Sequence, residues 1–484
     1  MPPVQGSVAR SMAWVGAASS VVAVCDLIAL AVILQRWATA TEYGTVSIVI
    51  TMFGALQLVG EAGLPAALVQ RRDVDEDRLS TMYWLGLLFG AALYAVIWIV
   101  SPWFAALYDL PILQPLLRSL GLLVVIRPLY TTQQGMFRRE LRFRELSVAR
   151  IVANVLELAV KLGVAVAGGG VWAFVFGPLV RELTYAIAIP LFVKFRPRRV
   201  CRPRMLREDF RFGVRATGGE LLFQIYSNLD YQIVAYTFGP AALGVYRAAF
   251  ELVLEPVRFV SGVVTVVAFP AFARLRSDRP ALIRQFVAFT RQNLTVVLAL
   301  VGVIVLCAEE LLLLAFGASY ATAATAARIL AVVGVFRALS HLGPPLLDGV
   351  GRPDLSLRYH ALAAVVLATG FGIAAAVGTT FVAIAVAWAI AYPIAFLVLG
   401  GMVLAQLELP LGTYVRQVGR IAAWIAIATV IGAIVHQVTA GAGPVLRLAA
   451  TSVVLLGVAT GLLARYERMP IQLRPPRAPG AGGS

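Results

Sequence analysis

The chain has 484 residues, 60% of them hydrophobic and only 14% charged, with a mean hydropathy of +0.84. Soluble globular domains carry about a quarter charged residues, so the composition excludes a soluble domain and fits a polytopic membrane protein. A net charge of +16 would suggest nucleic acid in a soluble protein; here the placement of the basic residues explains it through topology, and no nucleic-acid partner is expected.

A transmembrane helix needs roughly 20 mostly apolar residues. By that rule the chain reads as about fourteen spans, centred near residues 24, 57, 90, 123, 157, 182, 227, 257, 297, 338, 368, 392, 427 and 455. The first span contains Asp26 and is followed by no small-residue cleavage site, unlike a removed signal. The longest polar interruption, KFRPRRVCRPRMLREDFRFGVR at 194–215, falls between the sixth and seventh spans. It divides an expected N-terminal lobe, residues 1–210, from a C-terminal lobe, 211–405. Residues 406–484 hold the last two spans and a tail, RPPRAPGAGGS, whose composition reads as disordered.

Arginine placement sets the expected orientation. Arg71, Arg72, Arg78, Arg138, Arg139, Arg142, Arg144, the 194–215 stretch, Arg274, Arg276 and Arg279 all fall on loops of one parity, while AGGG and FGPAA on the other carry no base. This predicts both termini in the cytoplasm, with the basic loops against anionic lipid headgroups.

The two halves resemble each other. Aligning Gly44 in EYGTVS with Gly244 in LGVYR brings Asp26 close to Asp230, and FRRELRFRELSVAR and DGVGRPDLSLRYHA hold equivalent places after the fourth span of each half. Six spans is an even number, so both halves enter from the same side. The expected architecture is all-α, two six-helix lobes related by a parallel repeat plus two C-terminal helices; such repeats handle substrate between their halves.

Charged residues stand out against this background. In GVYRAAFELVLEPVRFV, residues 244–260, Arg247, Glu251, Glu255 and Arg258 lie at roughly 0°, 40°, 80° and 20° around a helix, on one face that cannot look at lipid. Pro256 predicts a kink within it. Two readings stand side by side: a self-neutralising ladder of pairs one turn apart, and a cavity wall that meets an anionic substrate. Asp26, Glu61, Arg127, Glu157 with Lys161, Arg181 with Glu182, Glu220, Asp230, Arg337 and Asp348 add to the charge at membrane depth. Together they suggest a hydrated central cavity, although each singly also fits a buried ion pair. The three cysteines form no framework, His341, His360 and His436 are scattered, and no P-loop, HExxH or GxSxG occurs. Neither an enzyme nor a metal or organic cofactor is expected.

The run NLDYQIVAYTFGPAALGVYRAAFELVLEPVRFV with FPAFARL, the segment GEAGLPAALVQRRDVDEDRLSTMYWLGLLFG, and the loops FRRELRF and LDGVGRPDLSLR resemble the polysaccharide flippases of the MOP superfamily, in particular the Wzx-type branch of capsular and exopolysaccharide exporters. The resemblance spans residues 10–405, with Asn228, Asp230, Gly239, Gly244 and Tyr246 carrying the pattern most closely. It implies a fourteen-helix fold that moves an undecaprenyl-diphosphate-linked oligosaccharide between leaflets by alternating access, with an ion gradient as the expected energy source. The implied partners are that lipid-linked oligosaccharide and membrane lipids, for a monomer working beside other polysaccharide-assembly proteins. Arginine can offer a diphosphate two parallel hydrogen bonds; Arg247 and Arg258 are the first candidates, followed by Arg127, Lys161, Arg181 and Arg337. Asp26, Asp230 and Glu220 are the candidates for ion coupling, since a partly desolvated carboxylate can hold a proton near neutral pH. The alternatives are a drug exporter of the same superfamily and a membrane polysaccharide polymerase or ligase.

Overall fold

A computed structural model describes residues 22, 25–61, 68, 75–140, 142–193 and 195–467; within these, the side chains at 55, 58, 61, 138, 143, 211–217 and 220 are not described. Every regular element among the described residues is helical. In chain order they are α1 (25–36), α2 (Ala40–Glu61), α3 (Glu76–Leu107), α4 (Leu113–Ile126 continued by Pro128–Arg139), α5 (Phe143–Val166), α6 (Ala173–Leu191), α7 (207–238), α8 (240–274), α9 (Arg279–Phe316), α10 (Ala324–Ser340 continued by Gly343–Gly349), α11 (Pro353–Val377), α12 (Val382–Leu407), α13 (Leu411–Val438) and α14 (Pro444–Tyr466). Nine helical stretches among the described residues are long and apolar enough to cross a membrane, and one of them, Leu221–Arg274, contains the break between α7 and α8. With the shorter segments α1, α2, α4 and α5, the architecture is consistent with fourteen spans. Lys194, Glu61, Glu220 and the C-terminal tail lie outside the described residues or side chains.

Local chemistry sets the helix ends. Thr39 and Glu42 form a capping box: the Glu42 carboxylate accepts from the Thr39 N–H at 2.8 Å, and the Thr39 hydroxyl accepts from the Glu42 N–H at 3.2 Å. Asp75 caps α3 by accepting from the Arg78 N–H at 3.1 Å. Between α7 and α8, Gly239 takes φ 84°, ψ 171°, which its missing Cβ permits, and Pro240 opens the next helix with a preset φ. Helical torsions continue past Pro256; the one departure recorded in the whole 207–274 stretch is at Gly239. The end of the polar 194–215 stretch is not a loop. Its last residues begin α7, because Glu208 and Asp209 suit a helix N-terminus and Asp209 is buried against Arg78 at 3.3 Å.

The chain separates into two compact units, formed by the described parts of Met1–Leu252, Leu312–Leu330 and Asp354–Ala395, and of Val253–Leu311, Ala331–Pro353 and Phe396–Ser484. In the first, α4 turns Leu113, Leu116, Leu117, Leu120, Leu123 and Val124 inward at helical spacing against α2 and α3, and α5 pairs with α6. In the second, α13 pairs with α14.

The internal repeat has a physical counterpart inside the first unit. A Cβ built on Gly44 would lie 1.7 Å from the Pro240 carbonyl oxygen, and one on Gly244 would lie 1.9 Å from that of Ala40. Residues 40 and 44 therefore meet 240 and 244 reciprocally, as the two sides of a two-fold contact do. Nearby, the Gln232 amide donates to the Ile48 carbonyl at 2.9 Å and to the Thr51 hydroxyl at 2.7 Å, and accepts from the Tyr108 hydroxyl at 2.7 Å. Farther along, α5 and α11 start at Phe143 and Pro353, the same interval that separates Arg127 from Arg337.

This contact has no room for a methyl group. Gly44→Ala or Gly244→Ala should lower the stability of the purified protein by about 1–3 kcal/mol, the usual cost of overpacking. The double variant should melt close to the weaker single one, since parting the helices once relieves both clashes. Thermal unfolding in detergent measures this, and unaltered melting of both single variants would show that the helices do not touch.

Candidate functional site

Charge at membrane depth is concentrated in the first unit where α4, α5 and α6 meet. Glu157 and Lys161, one turn apart on α5, pair at 3.0 Å, and Arg181 of α6 reaches the other Glu157 oxygen at 3.0 Å. Arg181 also contacts Glu182 at 3.4 Å, and Arg127 of α4 approaches the same carboxylate at 3.4 Å. The Tyr130 hydroxyl donates to Glu182 as well. Three cations thus share two carboxylates. The acids are sealed, with side chains 3% and 2% exposed, whereas Arg181 and Arg127 keep 29% and 27%. Arg127 also lines a cavity of about 30 Å³ with Gln57, Thr131 and Thr132, enough for one or two waters. Asp26 of α1 is exposed and lies within electrostatic reach of Lys161, Glu157, Arg181 and Arg150. Four of the residues singled out in the sequence, Asp26, Arg127, Lys161 and Arg181, therefore gather in one place.

The four charges of α8 form two pairs one turn apart. In the first unit, Arg247 contacts Glu251 at 3.3 Å, and its guanidinium sits 5.4 Å from the Tyr43 ring centre and 5.6 Å from that of Tyr231. This aromatic enclosure adds cation–π attraction to the ion pair. In the second unit, the Arg258 Nε donates to Glu255 at 3.0 Å, but the Arg258 side chain is 64% exposed. Arg258 and Arg337 of α10 both act on His341 through their charge. Arg337 is half-buried, so a second basic cluster forms there.

Asp230 is in a different setting. Fully buried, it accepts from the Tyr246 hydroxyl at 2.7 Å and from the Trp388 indole N–H at 2.9 Å. These bonds join α7, α8 and α12. The repeat alignment paired it with Asp26, but Asp26 is exposed and Asp230 is sealed.

Several polar groups carried no sequence signal of their own. Glu467, at the end of α14, binds Arg420 at 3.2 Å and Trp424 at 3.3 Å, with Arg291 on its other oxygen. Cys307, Glu310 and His436 come together from α9 and α13. Arg291 lies 176 residues from Glu467, and Cys307 lies 129 from His436; only the packing of helices unites them.

A model of the polysaccharide biosynthesis protein family matches residues 33–325. The teichuronic acid biosynthesis protein TuaB of Bacillus subtilis (strain 168) is 27% identical over 421 residues, 86% of each chain. The lipopolysaccharide biosynthesis protein WzxC of Escherichia coli (strain K12) is 22% identical, covering 72% of this chain and 71% of WzxC. The succinoglycan biosynthesis transport protein ExoT of Rhizobium meliloti (strain 1021) is 26% identical, over 70% and 68%. Among solved structures, the lipid II flippase MurJ in an inward closed conformation superposes with a TM-score of 0.75 at 12% identity, over 93% of this chain and 99% of MurJ. An inward-facing MATE multidrug transporter of the MOP superfamily gives 0.64 at 16%, over 79% and 95%. Those named for an activity are transporters or flippases, not enzymes. The chain is a multi-pass membrane protein with a fold shared with MurJ and MATE transporters, and it belongs to the polysaccharide biosynthesis protein family.

Proposed function

We propose that this protein flips a polyprenyl-diphosphate-linked oligosaccharide, of the undecaprenyl class, across the bacterial inner membrane by alternating access, with both termini cytoplasmic. Relatives named for teichuronic acid, lipopolysaccharide and succinoglycan biosynthesis, and the likeness to a lipid II flippase, support this reading. The observation that carries it is Arg258. An arginine well inside a membrane span with 64% of its side chain accessible cannot rest in hydrocarbon; it requires a water-filled cavity.

The substrate has an anionic head, hydrated sugars and a long apolar tail. Arg258 and Arg337 are assigned to the diphosphate in the second unit, and the partly exposed Arg127 and Arg181 offer an anion site in the first. Arg247 is already enclosed by Tyr43, Tyr231 and Glu251, so its role here is to hold its own helices. Asp26, exposed beside Lys161, is the carboxylate assigned to ion coupling. Asp230, sealed by Tyr246 and Trp388, is assigned to holding the fold.

Orientation is checked first. In intact cells a membrane-impermeant maleimide should modify cysteine at Ala318→Cys but not at Ser277→Cys, and should leave the native Cys201 untouched. Modification of Ser277→Cys would overturn the orientation.

Replacing Arg258 together with its partner, as Glu255→Gln with Arg258→Met, should yield folded protein whose flipping of a fluorescent polyprenyl-diphosphate sugar in vesicles is reduced about ten- to hundred-fold, the worth of a charge-assisted contact. Arg258→Lys should regain part of the rate. A double variant with full activity would remove Arg258 from substrate binding, and export of small cations without flipping would favour a drug exporter.

The two aspartates should separate by readout. Asp26→Asn should fold normally and lose the dependence of transport on an ion gradient. Asp230→Ala should lose folded protein, each of its two bonds being worth about 1.5–3 kcal/mol. Normal melting of Asp230→Ala, or unaltered ion dependence of Asp26→Asn, would reverse the respective assignment.

A further inference from the structure

The second unit holds a cluster that the proposed transport cycle does not use. Cys307 and Glu310, three residues apart on α9, share a helix face, and His436 in the last turn of α13 faces them. The His436 Nδ1 is 3.8 Å from the Cys307 Sγ, and its Nε2 is 3.8 Å from a Glu310 oxygen. One donor atom from each residue lies within 4.8 Å of the others. Cys307 is fully buried and Glu310 is 5% exposed. Helical torsions lapse in α9 at Cys307 itself, with φ −108° and ψ 26°.

The state of Glu310 is the second observation. Arg447 of α14 binds its Oε1 at 2.7 Å, but its Oε2 is buried and has no hydrogen-bond partner among the described residues. A buried acceptor left this way is costly. A cation held between the Glu310 carboxylate, the thiol and the imidazole would satisfy it.

We propose that Cys307, Glu310 and His436 bind a divalent cation of the zinc class, which staples the trailing pair α13 and α14 to α9. Tetrahedral zinc holds thiolate sulfur at about 2.3 Å and imidazole nitrogen at about 2.0 Å, which sets the two about 3.6 Å apart; the 3.8 Å found here is close to that. The Glu310 Oε2 supplies the third ligand and water the fourth. With Nδ1 on the metal, Arg447 stays on the Glu310 Oε1 as an outer partner that orients the carboxylate. A sulfur, nitrogen and oxygen donor set selects such an ion over magnesium or calcium. On binding, the sulfur–metal bond forms as the thiol proton passes to solvent.

The test uses the full chain purified in detergent, stripped with chelator, in a Cys25→Ser/Cys201→Ser background that leaves Cys307 as the sole thiol. Equilibration with micromolar zinc should load one ion per chain by mass spectrometry of the metal, and cobalt should give a thiolate-to-metal charge-transfer band. Chelation should lower the melting temperature. Cys307→Ser should abolish the band, and Glu310→Gln should weaken binding by more than the roughly ten- to hundredfold that loss of an outer partner causes. If the Cys307 variant fails to accumulate, the cobalt spectrum of the background protein decides alone. Absence of the band at one equivalent, or equal zinc loading with Cys307 replaced, would overturn the proposal and mark the metal as adventitious.

Discussion

An ionised group within a membrane span must find its counterpart inside the protein, because hydrocarbon offers none. Much of the architecture of the first unit follows from this. Glu157 and Glu182 are sealed and each is approached by more than one donor, so α4, α5 and α6 are fixed by their acids. The bases behave otherwise. Arginine and lysine stems are long enough to bury their methylenes while the charged end stays outside, and Arg127 and Arg181 remain more than a quarter exposed. Glu157 and Glu182 anchor the fold, and Arg127 and Arg181 face outward from it.

The repeat distributes this chemistry unequally. At the interval that separates α5 from α11, Glu157 and Lys161 correspond to Leu367 and Phe371, both fully buried in an apolar interior. The matching stretch of α12, Ile390-Ala391-Tyr392, carries no charge either. Among the bases of the cluster, only Arg127 has a basic counterpart at this interval, Arg337. At the other matched positions α11 and α12 are uncharged where α5 and α6 are charged.

The helical class, the family and the one-turn pairs on α8 were legible in the sequence because they are local: apolar length, motif order and helical spacing need only neighbours along the chain. The meeting of Arg127, Lys161 and Arg181 was legible only as a set of unexplained charges. Glu157 with Lys161 and Arg181 with Glu182 are neighbours on one helix, but the contacts that join the set, Arg181 to Glu157 and Arg127 to Glu182, cross between helices. Asp230 shows the limit most clearly. Its role rests on Trp388, 158 residues away, and nothing in its own segment distinguishes a sealed carboxylate from an exposed one. His436 looked scattered for the same reason, since Cys307 stands beside it only once α13 has packed on α9.

The meeting of Gly44 with Gly244 is a contact of backbone against backbone. The glycines bring no side chains of their own to it, and the groups that tie α2 to α8 beside it are others, Arg247 over the Tyr43 ring among them. The closeness of the helices and the chemistry of their side chains therefore rest on different positions, and substitutions along the polar faces can accumulate while the glycine contact stays as it is.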